Sequence, residues 1–176
     1  ALSGMSAEGL VRDASWAFHD AGRRVERAQE TVRVLRRTLP AASTRGASLV
    51  REATLRARES LLSYRRRRAE GGRSRTPLAT ALELLLLDET NPRSVAYQLD
   101  RLHDDLRHAP SPQPLAALRV PTLGLAGADA TALALAPDAL ASFLEELEAQ
   151  LRTVSGSVEA ACFPHRAPQH SFEERR

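Results

Sequence analysis

Residues 14–39 decide the fold class, and they read ASWAFHDAGRRVERAQETVRVLRRTL. Apolar side chains recur here in steps of three and four, at Ala14, Phe18, Ala21, Val25, Ala28, Val32, Leu35 and Leu39. That spacing places them along one face of an α-helix. Pro40 follows directly, and proline cannot continue a helix. The stretch therefore predicts a long amphipathic helix with one buried face.

The composition of the whole chain favours the same kind of structure throughout. Its 176 residues include 30 Ala, 27 Leu and 9 Val but no Ile, and aromatic residues make up only 4%. Alanine and leucine are strong apolar helix formers, whereas strands favour β-branched and aromatic residues. We therefore predict an all-α fold over residues 1–163, a bundle of five to six mostly antiparallel helices within a larger helical domain.

Turn signals divide the rest of the chain into further predicted helices. A second helix is expected over residues 48–68, with its inward face at Val50, Ala53, Ala57, Leu61 and Tyr64. Thr76-Pro77 has the form of an N-cap followed by proline and begins an apolar, buried helix that ends at residue 87. Asn91-Pro92 repeats this signal before a helix that carries Leu99 and Leu102 inward.

The C-terminal part of the chain has three predicted regions. Residues 109–136 are rich in proline near their start and contain Pro121, so they are expected to be weakly ordered or irregular with some helix. Residues 138–161 have leucine and valine at heptad-like spacing and predict the last helix. Residues 164–176 are expected to form a disordered tail.

Several classes of protein are excluded by simple observations. A lone cysteine, Cys162, excludes a disulfide scaffold and fits a reducing cytoplasm. The longest apolar run is too short to span a bilayer. Glycine-rich phosphate loops, zinc-ligand spacing and nucleophile elbows are all missing from the sequence. We therefore predict no metal and no cofactor, and no recognisable motif makes the chain an enzyme.

The charges are unevenly divided, and every basic residue is arginine. Residues 1–75 carry 17 arginines and 8 acidic residues, whereas residues 76–176 carry 8 arginines and 14 acidic residues. The densest basic run supplies candidate anion-binding residues at Arg65, Arg66, Arg67 and Arg68. The alternative is a solvated helix end whose cations favour the C-terminal dipole. Scarce aromatic residues argue against a nucleic-acid binder.

A second set of polar residues forms a candidate site of its own. It combines residues of the first helix with residues of the turn after residue 87, namely Arg23, Glu26, Arg27, Asp88, Asn91 and Arg93. Two interpretations remain open: an outer face with an ion pair between Arg23 and Glu26, or a polar cluster buried between helices. Within the turn, Asn91 is expected to cap a helix, while Asp88 and Arg93 are placed to bridge the turn.

Four segments resemble the bacterial alpha-E family, a predicted all-helical domain named for a Glu-Arg motif. They read SGMSAEGLVRD (3–13), GRRVERA (22–28), SYRRRR (63–68) and TPLATALELLLLDETNPRSVAYQLDRL (76–102). Glu26-Arg27 matches the motif, and DETNPRS (88–94) is the most distinctive part. The resemblance is to the C-terminal half of the family domain, which implies a missing upstream helical half and a chain that is a fragment.

The resemblance also implies a functional setting. Alpha-E proteins are typically encoded beside, or fused to, a circularly permuted ATP-grasp peptide ligase. We therefore expect an accessory domain that docks on such a ligase or presents its substrate in the formation of peptide-like amide bonds. Two alternatives remain: an enzyme with a Glu/Arg/Asp cleft, and an arginine-driven binder of anions or nucleic acid.

Overall fold

The computed structural model describes residues 14–39, 46–70 and 76–162, and these residues form helices without any strand. The described ranges contain eight α-helices: α1 (Ala14–Thr38), α2 (Ala47–Ala57), α3 (Leu61–Glu70), α4 (Pro77–Leu82), α5 (Val95–Leu106), α6 (Gln113–Ala126), α7 (Ala130–Leu135) and α8 (Pro137–Cys162). A π-helical turn, Glu83–Leu87, continues α4. The predicted all-α bundle is confirmed. No helix in the described ranges is long and apolar enough to cross a membrane.

The long first helix lies at the centre of the packing, in contact with both α5 and α8. Its predicted apolar face is buried, from Ala21 through Val32 to Leu39. The heptad positions of α8 are buried in the same way, and they share one core cluster with α1. Helix α6 packs on α8 from the other side. The apolar periodicity of the two longest helices thus defines the core.

Helix α4 and the π turn form the predicted buried apolar segment. Thr76 is the N-cap, and its hydroxyl accepts a hydrogen bond from the Ala79 backbone N–H at 3.1 Å. Pro77 follows at the first helical position, where its missing N–H costs nothing. Every residue from Ala79 to Leu82 is buried, as are Leu84, Leu85 and Leu86. The prediction for this segment is confirmed.

The predicted helix over residues 48–68 is wrong, because the chain forms two helices with a break at Arg58–Ser60. Backbone bonds from Glu59 N–H to Arg56 O and from Ser60 N–H to Leu55 O close the end of α2. This pattern is a Schellman motif, in which the residue after the helix adopts a left-handed conformation. Glu59 does so, with φ 50°. In α2 Leu55 is buried, whereas Val50, Ala53 and Ala57 of the predicted inward face are exposed.

The helix after Asn91-Pro92 also begins later than expected. Ser94, not Asn91, is the N-cap of α5, and its hydroxyl accepts from the Tyr97 N–H at 3.0 Å. Residues 109–136, expected to be weakly ordered or irregular with some helix, contain α6 and α7. The expected tail, residues 164–176, lies outside the described residues.

Candidate functional site

The Glu-Arg motif lies on the solvent side of α1. Glu26 and Arg27 are both exposed, while their neighbours Val25 and Ala28 point into the core. Neither motif side chain makes a hydrogen bond or an ion pair within the described parts of the chain. Arg23 pairs with Asp20 at 2.5 Å, so the expected Arg23–Glu26 pair does not form. The two side chains of the motif are therefore accessible, and no hydrogen bond or ion pair in the described fold depends on them.

A buried ionic cluster lies one turn before the motif. Asp20 is only 2% exposed and Asp105 of α5 only 7% exposed. Arg24 connects them, since its guanidinium lies 2.5 Å from Asp20 Oδ2 and its Nε donates to Asp105 Oδ2 at 2.8 Å. Burial, opposed by Arg24, raises the pKa of the Asp105 carboxyl to about 6. This cluster fixes α1 against α5 and holds the turn that carries the motif.

Sequence reasoning missed Asp20, Arg24 and Asp105. Part of the signal was present, because Asp20 stands three and four residues before Arg23 and Arg24, the spacing of ion pairs on a helix. The position of Asp105 carried no such signal. It lies 81 residues from Arg24 along the chain.

A further arginine reaches α1 one turn after the motif. Arg58 follows the end of α2, and one of its Nη atoms donates to Thr31 Oγ1 at 2.8 Å. Burial is the main cause that lowers the pKa of the Arg58 guanidinium. The next residue, Glu59, forms an ion pair with Arg93 from the turn before α5. The break between α2 and α3 thus brings two distant arginines to the motif.

Four arginines define what we call the arginine face: Arg23, Arg27, Arg58 and Arg93. Their mutual influence is visible at Arg27, whose pKa is lowered first by partial burial and then by Arg23 and Arg93. Neighbouring guanidinium groups repel one another because they carry like charges, and a bound anion relieves that repulsion. Guanidinium groups bind carboxylates and phosphates through paired hydrogen bonds. The arrangement is therefore suited to binding an oxyanion.

The other two members of the predicted polar site serve the turn before α5. Asp88 pairs with Arg67 and accepts hydrogen bonds from the backbone and side chain of Thr90. Burial acts to raise the pKa of the Asp88 carboxyl, but these contacts together lower it. Asn91 donates to the Leu84 carbonyl at 2.7 Å and accepts from the Arg93 N–H at 3.1 Å. The expected Asp88–Arg93 bridge is absent from this turn, because each residue has another partner.

The structure brings together Arg23, Arg27 and Arg93 of the predicted polar site, with Glu26 beside them on α1. Asp88 and Asn91 stay with the turn. Arg65, Arg66 and Arg67 of the basic run form ion pairs with Glu52, Glu70 and Asp88. Arg68 is half-buried at the end of α3. The run is thus largely compensated by carboxylates, whereas Arg27 and Arg58 of the arginine face have no carboxylate within ion-pair distance among the residues that the structure describes.

Comparisons with known proteins place this chain in a family. The matching family model, Alpha-E, is described as a predicted alpha-helical domain with a conserved ER motif, and it matches residues 1–163. The match covers nearly the whole chain, not only a C-terminal half. No solved structure gives a significant match.

The curated relatives are much longer proteins. An uncharacterized protein of Mycobacterium bovis and two from strains of Mycobacterium tuberculosis are each 40% identical over 110 residues. That stretch is 62% of this chain and 12% of each relative. The family match, over residues 1–163, is longer than this stretch and includes the whole of α8, and Glu26-Arg27 corresponds to the motif in its description: the chain belongs to the alpha-E family.

Proposed function

We propose that the protein is a non-enzymatic accessory domain that docks on a peptide ligase of the circularly permuted ATP-grasp type, or presents its substrate. One observation carries the proposal: Glu26 and Arg27 are exposed and have neither a hydrogen bond nor an ion pair in the described ranges. Residues that serve only the fold are usually buried or paired, as Asp20 and Arg24 are. An exposed, unpaired pair is available to a partner.

The chemistry of the motif suits a protein interface. Arginine is enriched among residues that dominate binding energy, because its planar group forms several hydrogen bonds while its stem packs against apolar surface. The long mycobacterial relatives support the same role, since the matched stretch is a small part of each. A domain in such a chain works beside other parts of the polypeptide.

The alternative, an enzyme with a Glu/Arg/Asp cleft, requires Glu26, Arg27 and Asp88 around one substrate. The carboxylate of Asp88 is instead held by Arg67 and Thr90. A general acid or base must reach the reacting proton directly or through one water. The contacts of Asp88 therefore favour docking over catalysis by this set.

The test is a binding measurement between the 176-residue chain and the purified ATP-grasp ligase of its host. We expect saturable binding that Arg27→Gln and Glu26→Gln each weaken at least tenfold. Arg37→Gln is the matched control, because Arg37 is an exposed arginine of the same helix about three turns further on. This control should bind within twofold of the wild type.

The outcome that would contradict the proposal is equally definite. Absence of binding, or equal loss in the Arg27 and Arg37 variants, would remove the docking role. A turnover of substrate by the isolated chain that Glu26→Gln abolishes, with helicity unchanged, would replace docking with the enzymatic alternative.

A further inference from the structure

We propose that the arginine face binds an oxyanion, the carboxylate or phosphate group of a ligand, and that Glu59 holds Arg93 until this group displaces it. The inference deepens the proposed function, on which it rests for the use of the Glu26–Arg27 surface. It assigns a ligand chemistry to that surface and an internal competitor for it.

The geometry comes from three turns of α1 that carry the face. Arg23 lies one turn before Arg27, and Thr31, the acceptor for Arg58, lies one turn after it. Arg93 is brought close because it pairs with Glu59, the residue after Arg58. Cations thus surround Arg27 from its own helix and from two separate turns.

The balance of charge leaves part of this face uncompensated. Arg23 and Arg93 each have a carboxylate partner, Asp20 and Glu59. Arg27 and Arg58 have no carboxylate within ion-pair distance among the described residues. Glu30 and Glu59 partly offset the charge of Arg58, as Asp20 does that of Arg27. Neither guanidinium forms an ion pair in the described part of the chain, so the face retains positive charge for an oxyanion.

Glu59 shows an unusual conformation at the same place. It has φ 50° at the end of α2, a backbone position where glycine or asparagine is preferred. A strained residue persists where the surrounding structure requires it, and such residues cluster at functional sites. Among the described residues, the strained Glu59 supplies the carboxylate that pairs with Arg93. We infer that this carboxylate occupies part of the site in the free protein.

The exchange requires no covalent step. An incoming oxyanion accepts hydrogen bonds from Arg27, Arg58 and Arg93, and the exposed Glu59 carboxylate returns to water. Because Glu59 is solvent-exposed, its release involves little change in burial. The site therefore selects among ligands by their negative charge and their number of acceptor oxygens. Glu59 competes with the ligand for Arg93 and so raises the ligand concentration that is needed for binding.

The test is a calorimetric titration of the 176-residue chain at constant ionic strength, with inorganic pyrophosphate in one arm and glutarate in the other. We expect one saturable site. Arg27→Gln should weaken it at least fivefold, and Glu59→Asn should tighten it at least threefold. Asparagine tolerates the left-handed backbone and removes the competing carboxylate. Glu59→Gly is the second variant for the same purpose.

Glu145→Gln is the control for net charge, since it removes one exposed negative charge from α8, away from the site. It should change the affinity less than twofold. Tighter binding of pyrophosphate assigns a phosphate ligand, and tighter binding of glutarate assigns a carboxylate. Absence of a saturable site, or equal effects of Glu59→Asn and Glu145→Gln, would overturn the inference.

The titration contains no ligase, so the two proposals fail separately. Anion binding without ligase binding would remove the docking role alone. Ligase binding that depends on Arg27 while neither anion saturates the chain would remove the oxyanion site alone.

Discussion

Asp105 has a carboxyl group whose pKa is strongly changed by its surroundings in the fold. Its carboxyl group is buried between α1 and α5, beside Arg24 and a second carboxylate, Asp20. Burial disfavours the charged form, and the nearby Asp20 adds to the effect, while Arg24 opposes both. Its pKa of about 6 lies above the ordinary value of 3.8. Folding therefore favours the protonated carboxyl.

This shift predicts an unusual dependence of stability on pH. Since the folded pKa is above the unfolded one, the folded state binds the proton more tightly, and stability rises as the pH falls from about 7 towards 4. We expect the unfolding free energy of the wild type, relative to Asp105→Asn, to rise by up to about 3 kcal/mol over that range. Chemical denaturation of both proteins across the range measures it.

The control for this prediction is Asp104→Asn, at the adjacent exposed residue of α5. Its stability relative to the wild type should stay nearly constant over the same range. A constant difference between the wild type and Asp105→Asn would show that the buried cluster does not titrate in this window.

At the level of the element, the connection from the π turn to α5 is held by side chains as well as by backbone. The Ser94 hydroxyl caps α5 and also donates to the Asp88 carbonyl at 2.5 Å. Asn91 ties the same turn to the Leu84 carbonyl in the π turn. Ser94 is completely buried, so both of its bonds lie away from water.

We therefore expect Ser94→Ala to destabilise the protein by about 1–2 kcal/mol, because it removes the cap of α5 and one of the two hydrogen bonds that the Asp88 carbonyl accepts, the other coming from the Asn91 N–H. Thr153→Ala is the matched control, an exposed hydroxyl in the middle of α8. It should change stability by less than about 0.5 kcal/mol. Urea denaturation measures both, and equal effects would show that the cap is dispensable.

The two helix boundaries that were predicted wrongly, near Glu59 and near Asn91, have a common cause. Apolar spacing continues through residues 48–68, so the pattern contains no signal for the break at Glu59. The asparagine of Asn91-Pro92 resembles a cap, but its side chain is used by the Leu84 carbonyl. In both places hydrogen bonds that the apolar spacing does not show decide the boundary: the Schellman bonds of Glu59 and Ser60 end α2, and the bond from Asn91 to Leu84 leaves Ser94 as the cap of α5.

For the whole molecule, the contact between α1 and α8 joins residues more than a hundred positions apart. Glu148 of α8 is only 8% exposed and accepts from Arg36 of α1 at 2.7 Å. Arg152, one turn later on α8, places its Nη1 atom 3.3 Å from Glu148 Oε1. The hydrogen bond from Arg36 is the main cause that holds the pKa of Glu148 below its usual value. This contact orients α8 along α1 at the edge of their shared core.

Glu148→Gln is expected to destabilise the protein by about 1–2 kcal/mol at neutral pH, since it removes a charged acceptor from several arginines. Glu145→Gln is the control, because the Glu145 side chain is 69% exposed and lies 3.3 Å from the same Arg36. Its effect should be below about 0.5 kcal/mol. Thermal unfolding of the two variants compares them.

The pH dependence of this pair has the opposite sign to that of Asp105. A depressed folded pKa means that the stabilisation is present above the ordinary glutamate value and is lost as the pH falls through the lower folded value. The difference between the wild type and Glu148→Gln should therefore shrink in acid. A difference that grows in acid would contradict the assigned ion pair.

The sequence by itself determined the helical class, the long helices α1 and α8, the buried apolar segment capped by Thr76, and the place of the Glu-Arg motif on α1. These features depend on spacing within one segment, because a 3.6-residue period sorts side chains into buried and exposed faces wherever the chain is helical. The alpha-E resemblance was likewise readable from short local motifs. It extends over nearly the whole chain.

Only the tertiary structure decided which charged residues meet. The arginine face joins Arg23 and Arg27 to Arg58 and Arg93, and the buried cluster joins Asp20 and Arg24 to Asp105. A chain with 25 arginines and 22 acidic residues offers many possible pairs, and spacing alone does not rank those that are far apart. Ion pairs depend on distance and burial in three dimensions, and both are set by how α2, α5 and the turns pack on α1.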